Sequence, residues 1–467
     1  MDRYRTVISA ILMALSYQYF APGLVIAMIP MLYRPLKKTT LLSWGIIYMG
    51  ILHLFLLNLA NDSSLIAAIT IWLMASLYFG LFYGIGGWIL TLVSKKRNIK
   101  WPLLLPIIWP IIEYLKSIGS FGNTNGNLGI GLASIIDYLP ITSVIGHIGL
   151  SMIIVIFNVL LWQQRKHPHT KRAFSAIIGV LLFTGLLGSH TLLTTEKTTI
   201  SAIQTNITQQ QKMQPSQWPK LETIYLNQIK EASGDIIILP ETILPTVIHK
   251  RPWLNTLQTI SNQKNKTIVL GSFIHDAGTY NGSIIIQPHQ SPLFYKKQRL
   301  MPFGETLPFR STLSKIIPDH LLFSDFDQGT TTMDLQIGPV FLRPIICLEG
   351  IYSHFYRSKT NSIVAVHANN AWYDRSTAGS KFLKFAQVHA AEFNTMVVVA
   401  ANLGQSAIIA PSGKPITVAK HQQSAILTHP IISSSSPSIY NRYPWLGWLM
   451  ISIIWSLFAI KGLNTFD

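Results

Sequence analysis

The sequence predicts a multi-pass α-helical membrane domain, then an α/β domain, then a last membrane helix. Three observations predict it. Hydrophobic residues make up 49% of the 467 and charged ones only 12%, and mean hydropathy is +0.34; an ordinary water-soluble chain is more charged and less apolar. Long apolar runs fill residues 1–195 and return after residue 439. Between them, short apolar runs of strand length alternate with polar stretches, some of helical periodicity.

Charge narrows the partners. The 37 Lys and Arg against 19 Asp and Glu give a formal net charge of +18. A nucleic-acid binder gathers such an excess on one face or stripe. Here the basic residues punctuate apolar runs, as membrane topology requires, so a membrane is the expected partner and nucleic acid is not. Cys347 is the only cysteine, which excludes an internal disulfide and a Cys-rich metal site. No metal or other cofactor is expected.

The first two apolar runs, Thr6 to Phe20 and Pro22 to Tyr33, are shorter than the roughly 20 residues of a usual span. They are two short spans or a re-entrant hairpin turning near Ala21-Pro22-Gly23, and neither choice changes the later topology. The third run is Leu41 to Ala60, the fourth Leu65 to Val93, the fifth Trp101 to about Ile118, the sixth Leu139 to Trp162 and the seventh Ala173 to Leu193. Basic residues follow runs two, four and six, at Arg34, Lys37 and Lys38, at Lys95, Lys96, Arg97 and Lys100, and at Arg165, Lys166, Lys171 and Arg172. With Arg3 and Arg5 they place the N-terminus in the cytoplasm by the positive-inside bias. Seven crossings then deliver the next segment to the opposite face. Further spans follow the first run at once, so it does not read as a cleaved signal.

Three features of this half carry chemistry. Glu113 on the fifth run is either a functional intramembrane carboxylate or an i,i+3 partner of Lys116. The stretch Gly119 to Gly129 is a Gly/Asn loop, expected to be a flexible connection more than part of a substrate mouth. His167-Pro-His169 has the look of a metal pair but lies in a solvated basic loop, where paired histidines seldom ligate.

From about Lys197 the apolar runs Ile200–Ile203, Ile236–Leu239, Thr267–Ser272, Ser283–Ile286, Val340–Ile346, Ile363–Val366 and Met396–Ala400 read as strands. Leu221–Ala232 and Ser380–Phe393 read as helices between them, the pattern of an α/β domain. After a Ser-rich link, Tyr440, Tyr443, Trp445 and Trp448 form an interfacial aromatic belt. Leu446 to Ile460 returns the chain to the cytoplasm, with basic Lys461 there. The expected domains are 1–195, about seven membrane helices; 196–438, the α/β domain on the outer face; and 439–467, the last helix and tail.

Three strand ends of the α/β domain hold reactive side chains. Ile345-Ile346-Cys347-Leu348-Glu349-Gly350 reads as a buried strand that stops abruptly with a thiol at the turn, where it can be presented into a pocket while the strand stays fixed. A small buried core residue is the plainer reading of a lone Cys. Glu241 leaves the strand Ile236–Leu239, and Lys297 lies in a basic run before Pro302-Phe-Gly-Glu305. Each is unremarkable alone.

In this order and with these flanks, Glu241, Lys297 and Cys347 resemble the Glu-Lys-Cys triad of the carbon–nitrogen hydrolase (nitrilase) superfamily. With membrane helices on both sides, nearly the whole chain is similar to the apolipoprotein N-acyltransferase family of inner-membrane enzymes. The motifs that carry this are Ala202–Ile207, Leu239-Pro-Glu-Thr242, Lys297 eight residues before Glu305, Cys347-Leu-Glu349, Asn369-Asn-Ala-Trp-Tyr373, Asn402-Leu-Gly-Gln-Ser406 and, in the membrane part, Trp109 to Glu113. The resemblance implies an α/β nitrilase-like domain built as an α-β-β-α sandwich, on the periplasmic side of the inner membrane. It implies a phospholipid acyl donor and a lipoprotein acceptor. The departures are Leu348, where an aromatic residue is common; Met213, in place of a tryptophan; the Gly/Asn stretch 119–129; and Ser380-Lys-Phe-Leu383, in place of a His-bearing element. These positions would line the substrate entrance. A conjugal-transfer membrane nitrilase with another acyl or amide substrate is the alternative.

Carried onto this chain, the resemblance makes Glu241 the general base, Cys347 the nucleophile, and Lys297 with the backbone N–H of Leu348 the donors to the oxyanion. Glu305 and Glu349 would support Lys297 and the pocket. The chemistry needs these types: a free thiol is only partly thiolate at neutral pH, so a base must take its proton.

Overall fold

The computed structural model describes residues 2–33, 35–61, 64–97, 99–163, 193–307, 326–357, 359–370, 378–434 and 436–463. The chain separates into two units, Met1–His190 with Ser438–Asp467, and Thr191–Pro437.

The first unit is helical. It contains α1 (Asp2–Tyr19), α2 (Thr40–Leu52), α3 (Leu65–Arg97), α4 (Trp101–Ser117) and α5 (Thr142–Gln163), with a further helix at Leu446–Leu463. Two of these, α3 and α5, are long and apolar enough to cross a membrane by length and composition. Along α3, Ile66, Leu73, Met74, Leu77, Leu81 and Trp88 are exposed. Apolar side chains in such a row need an apolar surrounding.

The second apolar run is not one helix. It forms two short turns, Ala21–Val25 and Ile29–Leu32. Its irregular backbone is satisfied by Asn158 of α5, which accepts from the Met28 N–H at 2.8 Å and donates to the Leu24 carbonyl at 2.8 Å. Non-helical backbone in an apolar setting requires such partners. The seventh run, but for Leu193 at the start of a strand, and the His167/His169 pair lie outside the described residues.

The Gly/Asn stretch corrects the expectation of a flexible connection. Thr124, Asn125 and Asn127 are buried. The Lys116 ammonium donates to the carbonyls of Asn123 and Asn125 at 3.0 and 2.5 Å, and Tyr48 donates to that of Gly126 at 3.0 Å. Glu113 accepts from Trp109 Nε1 at 2.9 Å and from the Leu128 N–H at 2.8 Å. Glu113 and Lys116 thus each bind the loop that follows them. Small polar residues let this backbone pack inside, where hydrogen bonds must be met internally.

Among its described residues the second unit holds two six-stranded sheets. The strands are β1 (Leu193–Gln204), β2 (Ile236–Ile238), β3 (Thr267–His275), β4 (Thr279–Ile286), β5 (Leu293–Lys296), β6 (Leu335–Ile337), β7 (Val340–Ile346), β8 (Ser362–Asn369), β9 (Met396–Asn402), β10 (Ala407–Ile409), β11 (Pro415–Val418) and β12 (Ala425–Ser434). One sheet has the order β12-β1-β2-β3-β4-β5 and the other β11-β10-β9-β8-β7-β6. The centres are parallel, β1-β2-β3 and β7-β8-β9. Central strands covered on both faces read as unbroken apolar runs, which is why Ile236-Ile-Ile and Met396–Ala401 are wholly buried.

Alternation sorts their side chains. Ile236 and Ile238 face a core with Val269, Leu342, Ile363 and Val398 from both sheets. Ile237 and Leu239 face the other way, onto Leu221, Tyr225 and Leu257 of α6 (Trp218–Glu231) and α7 (Trp253–Lys264). The remaining helix, α8 (Ala378–Phe393), packs on β9 and β10. The order is helix, sheet, sheet, helix. Parallel strands and returning helices put the ends of β2, β5 and β7 together.

Candidate active site

Each of the three expected residues stands just past a strand. Glu241 follows β2 by three positions, Lys297 follows β5 by one and Cys347 follows β7 by one.

Glu241 is buried. Leu239 donates its N–H to Val269 at 2.8 Å and Gly271 to Pro240 at 3.1 Å, so strand pairing holds the backbone up to the carboxylate. A Cβ on Gly271 would lie 2.6 Å from Glu241 Cα, so only glycine permits this approach. Thr242 then turns the chain with φ +44°.

Lys297 is 1% exposed and its Nζ lies 2.9 Å from Glu305 Oε1 and 3.3 Å from Glu241 Oε1. Its N–H donates to Asn281 at 2.9 Å, and its carbonyl accepts from Gly329 at 2.8 Å. Glu305 reaches back through the turn Met301–Glu305: its Oε2 accepts from the Met301 N–H at 2.8 Å, and Phe303 takes φ +64°. Burial works against the Lys297 charge, yet the carboxylates of Glu305 and Glu241 hold the ammonium above the ordinary lysine range. Burial likewise opposes the Glu305 charge, but Lys297 holds that carboxyl below its usual range.

Cys347 is half-buried, with φ +47°. A non-glycine residue in this region is held there by its surroundings. Burial and then the Glu241 charge push the thiol well up, against the pull of Lys297. A thiol pushed up in this way favours its protonated form. Leu348 follows inside the turn Cys347–Ile351, where the leading N–H groups have no partner within the turn.

Glu349 is a latch. It is fully buried and accepts from the N–H groups of Ile346 at 2.7 Å, Gln298 at 2.6 Å and Arg299 at 3.3 Å, and from Tyr295 Oη at 2.9 Å. It thus joins the Lys297 segment to the Cys347 turn. Burial pushes its carboxyl up to about 7, against those backbone donors.

Sequence reasoning missed several neighbours. Asn281 of β4 donates from one Nδ2 to Glu241 Oε1 at 2.9 Å and to Glu305 Oε1 at 2.6 Å. His367 of β8 bridges the sheets, with Nδ1 2.6 Å from the Leu239 carbonyl oxygen and Nε2 3.0 Å from Ser283 Oγ. The buried Lys212 sits beside Glu241. A signal existed for the first two: alternation from Ile285 through Ser283 puts Asn281 on the inter-sheet face, and alternation from Ile363 and Ala365 does the same for His367. Asn402, by contrast, fastens the segment after β1, accepting from Thr205 Oγ1 at 2.8 Å and the Ile207 N–H at 2.9 Å. Residues 371–373 of the Trp-Tyr motif lie outside the described residues. Of the departures, Met213 is exposed and Phe382 packs against Gly350, two positions past Leu348.

Residues 199–436 match the carbon-nitrogen hydrolase family, and residues 9–160 match the apolipoprotein N-acyltransferase N-terminal domain. The chain is 26% identical over 351 residues to an apolipoprotein N-acyltransferase from Nitrosomonas europaea, covering 72% of this chain and 70% of the relative. A second from Haemophilus ducreyi is 25% identical over 453 residues, 89% of this chain and 86% of the relative. A third from Geobacter metallireducens is 24% identical over 479 residues, 95% of this chain and 91% of the relative. A solved CN-hydrolase superfamily protein from Xanthomonas campestris overlaps 50% of this chain and 90% of its own, with 16% identity and a TM-score of 0.41. With more than half of its length matched by one family, the chain belongs to the carbon–nitrogen hydrolase family.

Proposed function

We propose that this protein is an apolipoprotein N-acyltransferase: it moves an acyl chain from a phospholipid, through a thioester on Cys347, to the α-amino group of the lipidated N-terminal cysteine of a lipoprotein. The observation that carries the reading is the Glu241 carboxylate 3.3 Å from the buried Lys297 ammonium, with the Cys347 thiol at the neighbouring strand end pushed up by burial and by the Glu241 charge. The family matches to both parts of the chain, and relatives of that name along most of it, support the choice of substrates.

In the first half-reaction Glu241 takes the thiol proton as sulfur attacks the donor's ester carbonyl. The oxyanion is held by Lys297 and the Leu348 N–H; one such donor is typically worth about 3 kcal/mol. The carbon–oxygen bond breaks, Glu241 returns its proton to the leaving alcohol, and Cys347 keeps the acyl group. In the second half-reaction the acceptor amine attacks the thioester and gives a proton to Glu241. The carbon–sulfur bond breaks, and the proton goes back to sulfur. Two half-reactions on one nucleophile give ping-pong kinetics.

Lipid substrates agree with the rest of the chain. Exposing an acyl chain to water costs about 0.8 kcal/mol per CH₂, so this chemistry belongs at a bilayer. We read residues 1–195 and 439–467 as its multi-pass anchor in the inner membrane, with the α/β unit on the periplasmic face, from the placement of the basic residues. None of the relatives named above favours the conjugal-transfer alternative. The test is transfer in detergent micelles from a labelled phospholipid to a diacylglyceryl-cysteine peptide. The protein is expected to yield an N-acylated peptide and Cys347→Ala none; label reaching water alone would assign a hydrolase instead.

A further inference from the structure

Among the described residues, Lys212 is the one fully buried cation in contact with the site that the mechanism above does not use. It ends the single helical turn Gln209–Lys212, which Thr208 and Gln211 close with a reciprocal cap. Trp218 Nε1 donates to its carbonyl at 2.9 Å and fixes the turn from the other side. The side chain is 1% exposed. Among the described residues its ammonium has one acceptor, the main-chain carbonyl oxygen of Glu241 at 3.5 Å. Three donors sharing one long hydrogen bond are poor compensation for burying a charge. What the position supplies is a positive charge at the Glu241 main chain, within electrostatic reach of its carboxylate. Burial draws the ammonium down to about 8, with Glu241 pulling the other way.

We infer that Lys212 is a positioning residue for the general base: its ammonium holds the Glu241 backbone at the strand end and sets a positive charge by the carboxylate that takes the thiol proton. The inference rests on Glu241 serving as base to Cys347, as proposed above. Without Lys212, the carboxylates of Glu241 and Glu305 outnumber the single ammonium of Lys297. The ionisable groups around Glu241 are then Lys297 and Glu305 past β5, Cys347 past β7, and Lys212 from the turn after β1. His367, whose ring binds the Leu239 carbonyl, is held neutral by burial. With Lys212 in place the two signs balance, and proton transfer from Cys347 to Glu241 leaves that balance unchanged.

The experiment is alkylation of Cys347 by iodoacetamide in the detergent-solubilised full chain, measured against pH. Because Cys347 is the only cysteine, the readout is unambiguous, and it needs no lipid. In Lys212→Met the acidic limb of the rate profile should move up by about one pH unit, the size expected for losing a nearby opposite charge. Lys212→Arg should return it to the parental position. A Lys212→Met profile that superposes on the parent, whether or not its amplitude or melting temperature falls, overturns the inference and leaves a packing role. Should Lys212→Met fail to fold, Lys212→Arg decides alone, a parental limb supporting the inference and a displaced one overturning it. A protein that shows the shift but transfers no acyl chain would keep this inference and lose the acyltransferase reading.

Discussion

In the proposed mechanism the buried Glu241 accepts a proton from a thiol that burial has pushed up. Lys297 and Asn281 hold the carboxylate, and burial disfavours the thiolate unless a base takes the proton. Glu241→Gln therefore should leave the fold intact and abolish thioester formation. Lys297→Met should lower its rate by about 10²–10³, the cost of one oxyanion donor, as read by single-turnover acylation. His367 sets an acid limit on stability. Burial lowers its pKa to about 4, against about 6.5 in an unfolded chain. The unfolded state thus binds the extra proton between those values. The contribution is complete above about pH 6.5 and is lost as pH falls towards 4, about 3 kcal/mol in all. His367→Gln should flatten the decline in melting temperature between pH 6.5 and 4.5; an unchanged decline would assign it to other groups. The reactive residues were legible because each ends an apolar run within a recognisable motif. Asn281 and His367 carried only the weaker signal of strand alternation, which sets each on the inter-sheet face without saying what it binds there.

At the scale of elements, the site is made by strand ends that turn sharply. Thr242 after β2, Phe303 after β5, Cys347 after β7 and Leu403 after β9 all have φ between +44° and +64°. Such conformations each cost about 1–3 kcal/mol and persist where the surroundings over-determine them. Glu349 is the main fastener here. Glu349→Ala would leave the N–H groups of Ile346, Gln298 and Arg299 without their acceptor, at about 1–3 kcal/mol for each one left buried. It should lower the melting temperature and acylation together, whereas a purely catalytic role would spare stability. Gly271→Ala should behave similarly, since its new methyl meets the Glu241 backbone. The central strands were legible from unbroken runs such as Ile236–Leu239. The edge strands β5, β6, β11 and β12 were not, since their half-exposed residues carry too little apolar signal. Nor was α7, where Trp253, Leu257 and Ile260 are the only large buried apolar residues in twelve.

For the whole molecule, the apolar runs and the basic residues between them carry the proposed topology. The Gly/Asn stretch shows the limit of composition: its small polar residues suggest solvent, yet they fill the interior of the helical unit because Lys116, Tyr48 and Glu113 supply their hydrogen bonds. To test the sidedness, Ser412→Cys in a Cys347→Ala background puts one thiol on an exposed turn of the α/β unit. An impermeant maleimide should label it in cells whose outer membrane alone is opened; labelling only after inner-membrane lysis would place the unit in the cytosol and remove the proposed role. The acyl transfer itself is tested most directly by intact-protein mass spectrometry after incubation with phospholipid. The account predicts one hydroxylamine-labile acyl chain on Cys347 and none in Cys347→Ala. A fully folded protein whose Cys347 never carries an acyl chain, with donor lipid in excess, would contradict it.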